Sequence, residues 1–330
     1  MIPKILIKAR NKLKHNLSNL GHFMSDVELE PLVSIIILNW NRCDDLVETL
    51  NYVDNLVYKR LEVIVVDNGS TDESVVVVRD KFPSVTLIAL PINIGCEDGN
   101  NVGILNASGE FLLFLDNDAD IEATGLCEII KVFKSDKKIG IVEPRIIRPS
   151  DGKILNEPNN WPIRNTFVGC AVVIRASVFE KIGLRPGEYF LYSSEPEICL
   201  KAVEHGFKIR HCSHIIARHR ESPKERASKT FYRLATRNMI WLIWRHYPWK
   251  SAVYETLLML TVHFWRSVGH RAFHYYLLGV FDGALGFKSQ AWKKRKPLLR
   301  FNEARIFPGY KDLLRIISKK VAKSESGEVK

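Results

Sequence analysis

From Pro31 onward, short β-branched runs alternate with stretches of helical spacing. Residues 33–38 (VSIIIL) are apolar but for Ser34 and stop at Asn39-Trp40-Asn41, which predicts a strand buried on both faces. Residues 44–55 then carry Leu46, Val47, Leu50 and Val53, the spacing of an amphipathic helix. A second strand is predicted over 61–66, ending at Asp67, and a helix over 71–82, with Thr71 as its cap and Asp72 and Ser74 in its first turn. A third strand follows over 85–90, a helix over 99–107, and a strand over 111–115 that delivers Asp116. Strands alternating with short helices imply right-handed crossovers. The fold class is therefore α/β, a Rossmann-like and mainly parallel central sheet with flanking helices.

After 140–144 the pattern loosens. Residues 148–161 hold Pro149, Asp151-Gly152, Pro158 and Asn159-Asn160, all turn formers, and predict a substrate-facing loop. Order returns with a strand over 168–175 and a helix over 197–205 closed by Gly206. From Ser228 the composition shifts. Trp241, Trp244, Tyr247 and Trp249 crowd around Pro248, and apolar stretches follow at 253–265 and 275–287. Three regions are expected: a basic amphipathic extension (1–30), the α/β domain (31–227), and a helical, aromatic-rich and basic C-terminal region (228–330).

Charge sharpens this division. The net charge of +11 suggests a nucleic-acid binder until it is located: residues 31–287 are neutral, residues 1–30 contribute +2, and residues 288–330 contribute +9. No basic stripe accompanies the α/β core, so no nucleic acid is expected as partner. A basic tail beside aromatic helices fits an anionic membrane surface; a solvated tail explains the charge equally well. Residues 1–24 interleave Lys4, Lys8, Arg10, Lys12 and Lys14 with apolar residues. This predicts a basic amphipathic helix at a membrane, or one docked on its own protein, rather than a signal peptide. No stretch approaches the roughly 20 apolar residues of a spanning helix. The expected location is cytoplasmic, peripheral at the inner face of the cell membrane. Six scattered cysteines without a C-x-x-C pair argue against zinc or disulfides and for a reducing compartment.

The chemistry concentrates at two strand ends. Asp67 closes one apolar run beside Asn68-Gly69-Ser70, and Asp116-Asn117-Asp118 closes another. In open α/β sheets ligands bind outside the carboxyl ends of the strands. Carboxylates there suit a nucleotide carrying a diphosphate and a divalent cation. A calcium loop starting at Asp116 is excluded, since its sixth position is Ile121 and its twelfth Cys127. Neither a P-loop nor a dinucleotide fingerprint occurs.

In order and spacing, these segments resemble the family-2 inverting, nucleotide-sugar-dependent glycosyltransferases of the GT-A fold, especially rhamnosyltransferase-like members. The resemblance covers about residues 33–238: VSIIILNWN (33–41), VDNGSTD (66–72), Asn93-Ile94-Gly95 through Gly103, LDND (115–118), Phe190-Leu191-Tyr192, residues 198–202, His219 and Arg237-Asn238. It implies that Asn39, Asn41, Asp67, Gly95, Asn100 and Asp116 contact the nucleotide. It further implies that Asp118, Asp116 and His219 hold Mg2+ or Mn2+, with Arg220 adding charge nearby. The implied activity moves a sugar from a dTDP- or UDP-linked donor, rhamnose among the candidates, to a saccharide or lipid-linked acceptor in surface polysaccharide biosynthesis. Oligomeric state is not legible.

One departure from the family pattern concerns the base. The family places an Asp after an acidic residue just before a helix, whereas this chain reads Ser194-Glu195-Pro196-Glu197. Glu195 is the expected base and Glu197 the runner-up; Ser194-x-x-Glu197 also reads as a capping box. The longer side chain, together with the lost acidic neighbour, leaves open a second reading: a catalytically weakened nucleotide-sugar-binding partner in a polysaccharide-assembly complex.

Overall fold

A computed structural model describes residues 30–156, 166–221 and 228–299. Its helices and strands all belong to one unit that begins at Leu32. The amphipathic extension, the second half of the 148–161 loop and the tail after residue 299 lie outside the described residues. The elements are β1 (Val33–Asn39), α1 (Cys43–Asp54), β2 (Leu61–Asp67), α2 (Ser74–Lys81), β3 (Thr86–Ala89), α3 (Cys96–Asn106), β4 (Phe111–Asp116) and β5 (Ala119–Ile121). They continue with α4 (Gly125–Ser135), β6 (Ile139–Ile147), β7 (Ala171–Arg175), α5 (Ala176–Ile182), a 3₁₀ turn (Gly187–Tyr189), α6 (Ser194–Glu204) and β8 (Lys208–His219). Three helices close the described chain, α7 (Ser228–His246), α8 (Trp249–Gly269) and α9 (Phe273–Leu285), with a π turn at Phe287–Trp292.

One sheet runs in the order β3-β2-β1-β4-β7-β6-β8-β5. Its first half is parallel, as the strand–helix alternation requires. Its second half is mixed: β7 runs antiparallel to both β4 and β6, β5 antiparallel to β8, and β6 parallel to β8. The cause is the connection from β6 to β7, an irregular loop among the described residues, which returns the chain without the crossover a parallel neighbour needs. The central strands are apolar on both faces because both are covered. Ile35, Ile37, Val65 and Leu113 pack with Leu46 and Leu50 of α1. Ile36, Ile64 and Phe114 pack with Ile104 of α3 and Ile198 of α6. A third cluster joins Tyr189 and Leu200 to Met239, Leu242 and Ile243 of α7 and Met259 of α8, so the terminal helices share a core with α6.

Several boundaries differ from the pattern-based expectation. The second helix starts at Ser74 rather than Thr71: Asp72 Oδ1 accepts bonds from the Ser74 N–H and hydroxyl, and Asn41 Oδ1 holds the Thr71 N–H outside the helix. Helix α3 starts three residues early, straight after Gly95, whose φ of 91° is open to glycine. Strand β8 is absent from that expectation; its sequence KIRHCSHIIARH is half polar because most of its side chains reach solvent. Among the described residues no helix is long and apolar enough to cross a membrane. All six cysteines are free thiols.

Candidate active site

The parallel register sets the strand-end residues side by side: Asn39 opposite Asp67, and Leu38 opposite Asp116. Asn39 ties Asp67 to the turn after Asp116, donating from its side-chain amide to Asp67 Oδ2 (3.1 Å) while its side-chain oxygen Oδ1 accepts from Asn117 Nδ2 (2.8 Å). Asp67 also receives the Ser70 N–H (2.9 Å), and Asn41, at φ 53°, donates its N–H to the Ser70 hydroxyl. The buried Asp67 is therefore the anchor of its turn, joined through Asn39 to the acidic turn.

That acidic turn links β4 to β5. Because β5 pairs with β8, Ala119 stands opposite His219, so the imidazole arrives beside the carboxylates. His219 Nε2 lies 3.0 Å from Asp118 Oδ1 and 3.7 Å from Asp116 Oδ2, and one ligand atom from each of the three falls within 4.8 Å of the others. Two carboxylates and an imidazole form a donor set that suits a divalent cation. Asp118 is buried, whereas Asp116 is half exposed and opens onto a cavity. Arg220 does not face this cluster. Its guanidinium bonds Thr49 Oγ1 (2.6 Å) and Asp120 (3.2 Å), and the Thr49 hydroxyl in turn holds the carbonyls of Asn117 and Ala119. It braces the turn from behind.

The cavity encloses about 810 Å³. Asn39, Gly95, Asn100, Asp116 and Glu195 line it; Asn41, Asp67, Asp118, His219 and Glu197 do not form its wall. Glu195 opens the first turn of α6. Its carboxylate is 3.7 Å from the Arg185 guanidinium, which is itself bound to Glu97 (2.7 Å) and to the Ser194 hydroxyl (3.0 Å). Burial and the nearby Glu97 charge raise Glu195 against the pull of Arg185, to about 7. Gly169 faces it so closely that a Cβ there would stand 2.9 Å from Oε1.

Glu197 has a different place. Its carboxylate accepts the Tyr189 hydroxyl (2.6 Å) and lies near Arg245 and His246 (3.3 Å each). Burial works to raise it, yet the charges of His246, Lys201 and Arg245 outweigh burial and hold it well below the usual carboxylate range. The capping box does not form: Ser193, in a left-handed conformation, precedes the helix without a side-chain cap, Ser194 serves Arg185, and Glu197 turns to the terminal helices.

Residues 34–199, half of the chain, match the model named Glycosyl transferase family 2. The chain belongs to glycosyl transferase family 2. Within this glycosyltransferase family it is 31% identical over 128 residues to a poly-β-1,6-N-acetyl-D-glucosamine synthase of Staphylococcus epidermidis, covering 37% of this chain and 31% of that protein. The chain thus spans about a third of that relative's length. It is 24% identical over 229 residues to the low-salt glycan biosynthesis hexosyltransferase Agl10 of Haloferax volcanii, covering 61% of this chain and 71% of that one. Its fold is similar to a mannosyltransferase from Pyrobaculum calidifontis solved with GDP-Man and Mn2+, at a TM-score of 0.53 and 17% identity over 86% of this chain and 84% of the other.

Two residues around Glu195, Arg185 and Gly169, carry no local signal in the sequence, and Asn238, part of the resemblance, has a role that only the structure reveals. Arg185 and Gly169 act on Glu195 across the chain. Asn238 of α7 shares its amide among the carbonyls of Tyr189 (3.1 Å), Leu191 and Tyr192 (2.9 Å each). It thereby holds a turn in which Phe190, Tyr192 and Ser193 all adopt positive φ immediately before Glu195. Such conformations cost about 1–3 kcal/mol each, so the clamp helps keep Glu195 in place.

Proposed function

We propose that the protein is an inverting glycosyltransferase that transfers a sugar from a nucleoside diphosphate donor to a hydroxyl of a saccharide or lipid-linked acceptor. The observation carrying this reading is that Glu195 and Asp116 line one cavity. The nucleoside end of the donor lies along Asn39, Gly95 and Asn100, and the diphosphate lies toward Asp116. Asp116, Asp118 and His219 would hold Mg2+ or Mn2+, which, when bound, offsets the charge of the diphosphate. Glu195 accepts the proton of the attacking hydroxyl. As the new C–O bond forms at the anomeric carbon, the bond to the diphosphate oxygen breaks on the opposite face, and its electron pair leaves with the diphosphate. A base with a pKa near 7 is matched to this task, which favours catalysis over a binding role.

The relatives' names support a hexosyl-type donor and a place in surface polysaccharide synthesis. A dTDP- or UDP-linked sugar, rhamnose included, is the proposed donor. Peripheral seating at the inner membrane face is supported by the exposed apolar residues of α8 and α9 and by the basic run Lys293–Lys296. The test is transfer or hydrolysis across a panel of dTDP-, UDP- and GDP-sugars with Mn2+ or Mg2+ and membrane extract. Turnover of one donor is expected; absence of turnover with every donor overturns the reading.

A further inference from the structure

The cavity holds more wall than a donor sugar requires. Beyond Glu195 it runs between α7 and α8, each of which gives it a stripe of four-residue spacing: Phe231, Ala235 and Met239 from one, Leu258 and Val262 from the other. Tyr192, just before Glu195, meets Phe231 edge to face with ring centroids 5.1 Å apart, so this apolar wing begins where the base is held. Two polar side chains line it. His263 donates or accepts at the Thr236 hydroxyl (2.8 Å), and burial with the neighbouring Arg266 lowers it to about 4, leaving it neutral. Arg266 supplies one positive charge to the same wall. Helix α8 is also apolar on its outer side, where Leu257 and Trp265 are 62% and 68% exposed. One helix thus lines the cavity and faces outward with apolar residues.

We propose that the wing between α7 and α8 receives the apolar chain of a lipid-phosphate acceptor, with its phosphate toward Arg266. This rests on the glycosyltransferase reading for the location of the reacting hydroxyl, which belongs to a sugar carried on the lipid phosphate and must reach Glu195. A free saccharide would leave the α7 and α8 stripes without a matching surface. An isoprenoid chain fills them and continues toward the apolar outer face of α8, from which it enters.

The test uses the full chain and isoprenyl monophosphates of five, ten and fifteen carbons, titrated below their micelle concentrations. Affinity is expected to rise at least about tenfold per added five-carbon unit, since each buried methylene adds to binding. Leu258→Trp and Val262→Trp, each filling the wing, are expected to bring the fifteen-carbon ligand to within about threefold of the five-carbon one, while Mn2+-dependent UDP, GDP or dTDP binding stays unchanged. Two variants are used so that a folding failure in one leaves the other decisive. Affinity independent of chain length overturns the proposal. A chain-length gain that survives filling also overturns it, because the chain then adsorbs on the outer face. Failure of all three nucleotides to bind with metal would instead sink the glycosyltransferase reading and leave the chain-length result standing.

Discussion

Glu195 and Glu197 stand two residues apart in the first turn of α6, and their carboxylates meet opposite environments. Glu195 faces the cavity beside Arg185 and is raised to about 7; Glu197 is enclosed by Tyr189, Arg245 and His246 and is lowered. In the helix, two residues turn a side chain through more than half a circle, so one acid serves the cavity and the other ties α6 to the terminal helices.

The pH dependence follows from Glu195. Because the base must be unprotonated, kcat/KM should rise with pH through an apparent pKa of about 7 and then level off. In Glu195→Gln this acidic limb should vanish, with turnover about 10²–10⁴-fold lower. Rate profiles of both proteins between pH 5 and 9 check it; a Gln variant with full turnover would remove Glu195 as base.

Stability should move oppositely for the two acids. Glu195 is raised from 4.5, so between 4.5 and about 7 the folded protein binds more protons than the unfolded chain, and its contribution falls as pH rises. Glu195→Gln should therefore be more stable than the parent above pH 7, by roughly 1–3 kcal/mol, with no difference below 4.5. Glu197 is lowered from 4.5, so its stabilisation is present above that value and lost as pH falls below it. Glu197→Gln should cost about 3 kcal/mol at neutral pH, since it takes a charge partner from buried Arg245, and the deficit should shrink in acid. Urea unfolding of the three proteins at pH 4 and pH 8 tests both signs.

Gly169→Ala should act on catalysis without touching the nucleotide side. The added Cβ stands 2.9 Å from Glu195 Oε1 and displaces the carboxylate by a few tenths of an ångström or more. A drop of about 10–100-fold in kcat is expected with an unchanged dissociation constant for the nucleoside diphosphate. An unaltered kcat would show that the carboxylate acts from another position.

Asn238→Leu removes the donor shared by three carbonyls of the strained turn. Arg237 still reaches the Tyr189 carbonyl (2.8 Å), so the loss falls on the Leu191 and Tyr192 carbonyls and should cost about 1–3 kcal/mol. It should also lower kcat more than it changes nucleotide affinity. Equal losses in both quantities would mark Asn238 as a general fold residue only.

Asp118→Asn weakens the donor set it shares with Asp116 and His219. The thermal shift that Mn2+ produces in the parent protein should be lost in the variant, without any assay of transfer. A shift of equal size in both would place the cation elsewhere.

The parallel half of the sheet and the carboxylates at its strand ends were legible from local patterns. A β-branched run buried on both faces announces itself over six residues, and an acidic cluster at its end needs no distant partner. Strand β8 escaped because its exposed side chains blur the alternation, and with it went the register that sets His219 opposite Ala119. Which glutamate faces the cavity, the support from Arg185, Gly169 and Asn238, and the apolar wing between α7 and α8 all depend on contacts between residues far apart in the chain. Such contacts arise only when the sheet has closed and the terminal helices have packed on α6, because it is burial and neighbouring charge, not residue type, that raise the Glu195 carboxylate at the cavity and lower that of Glu197 against the terminal helices.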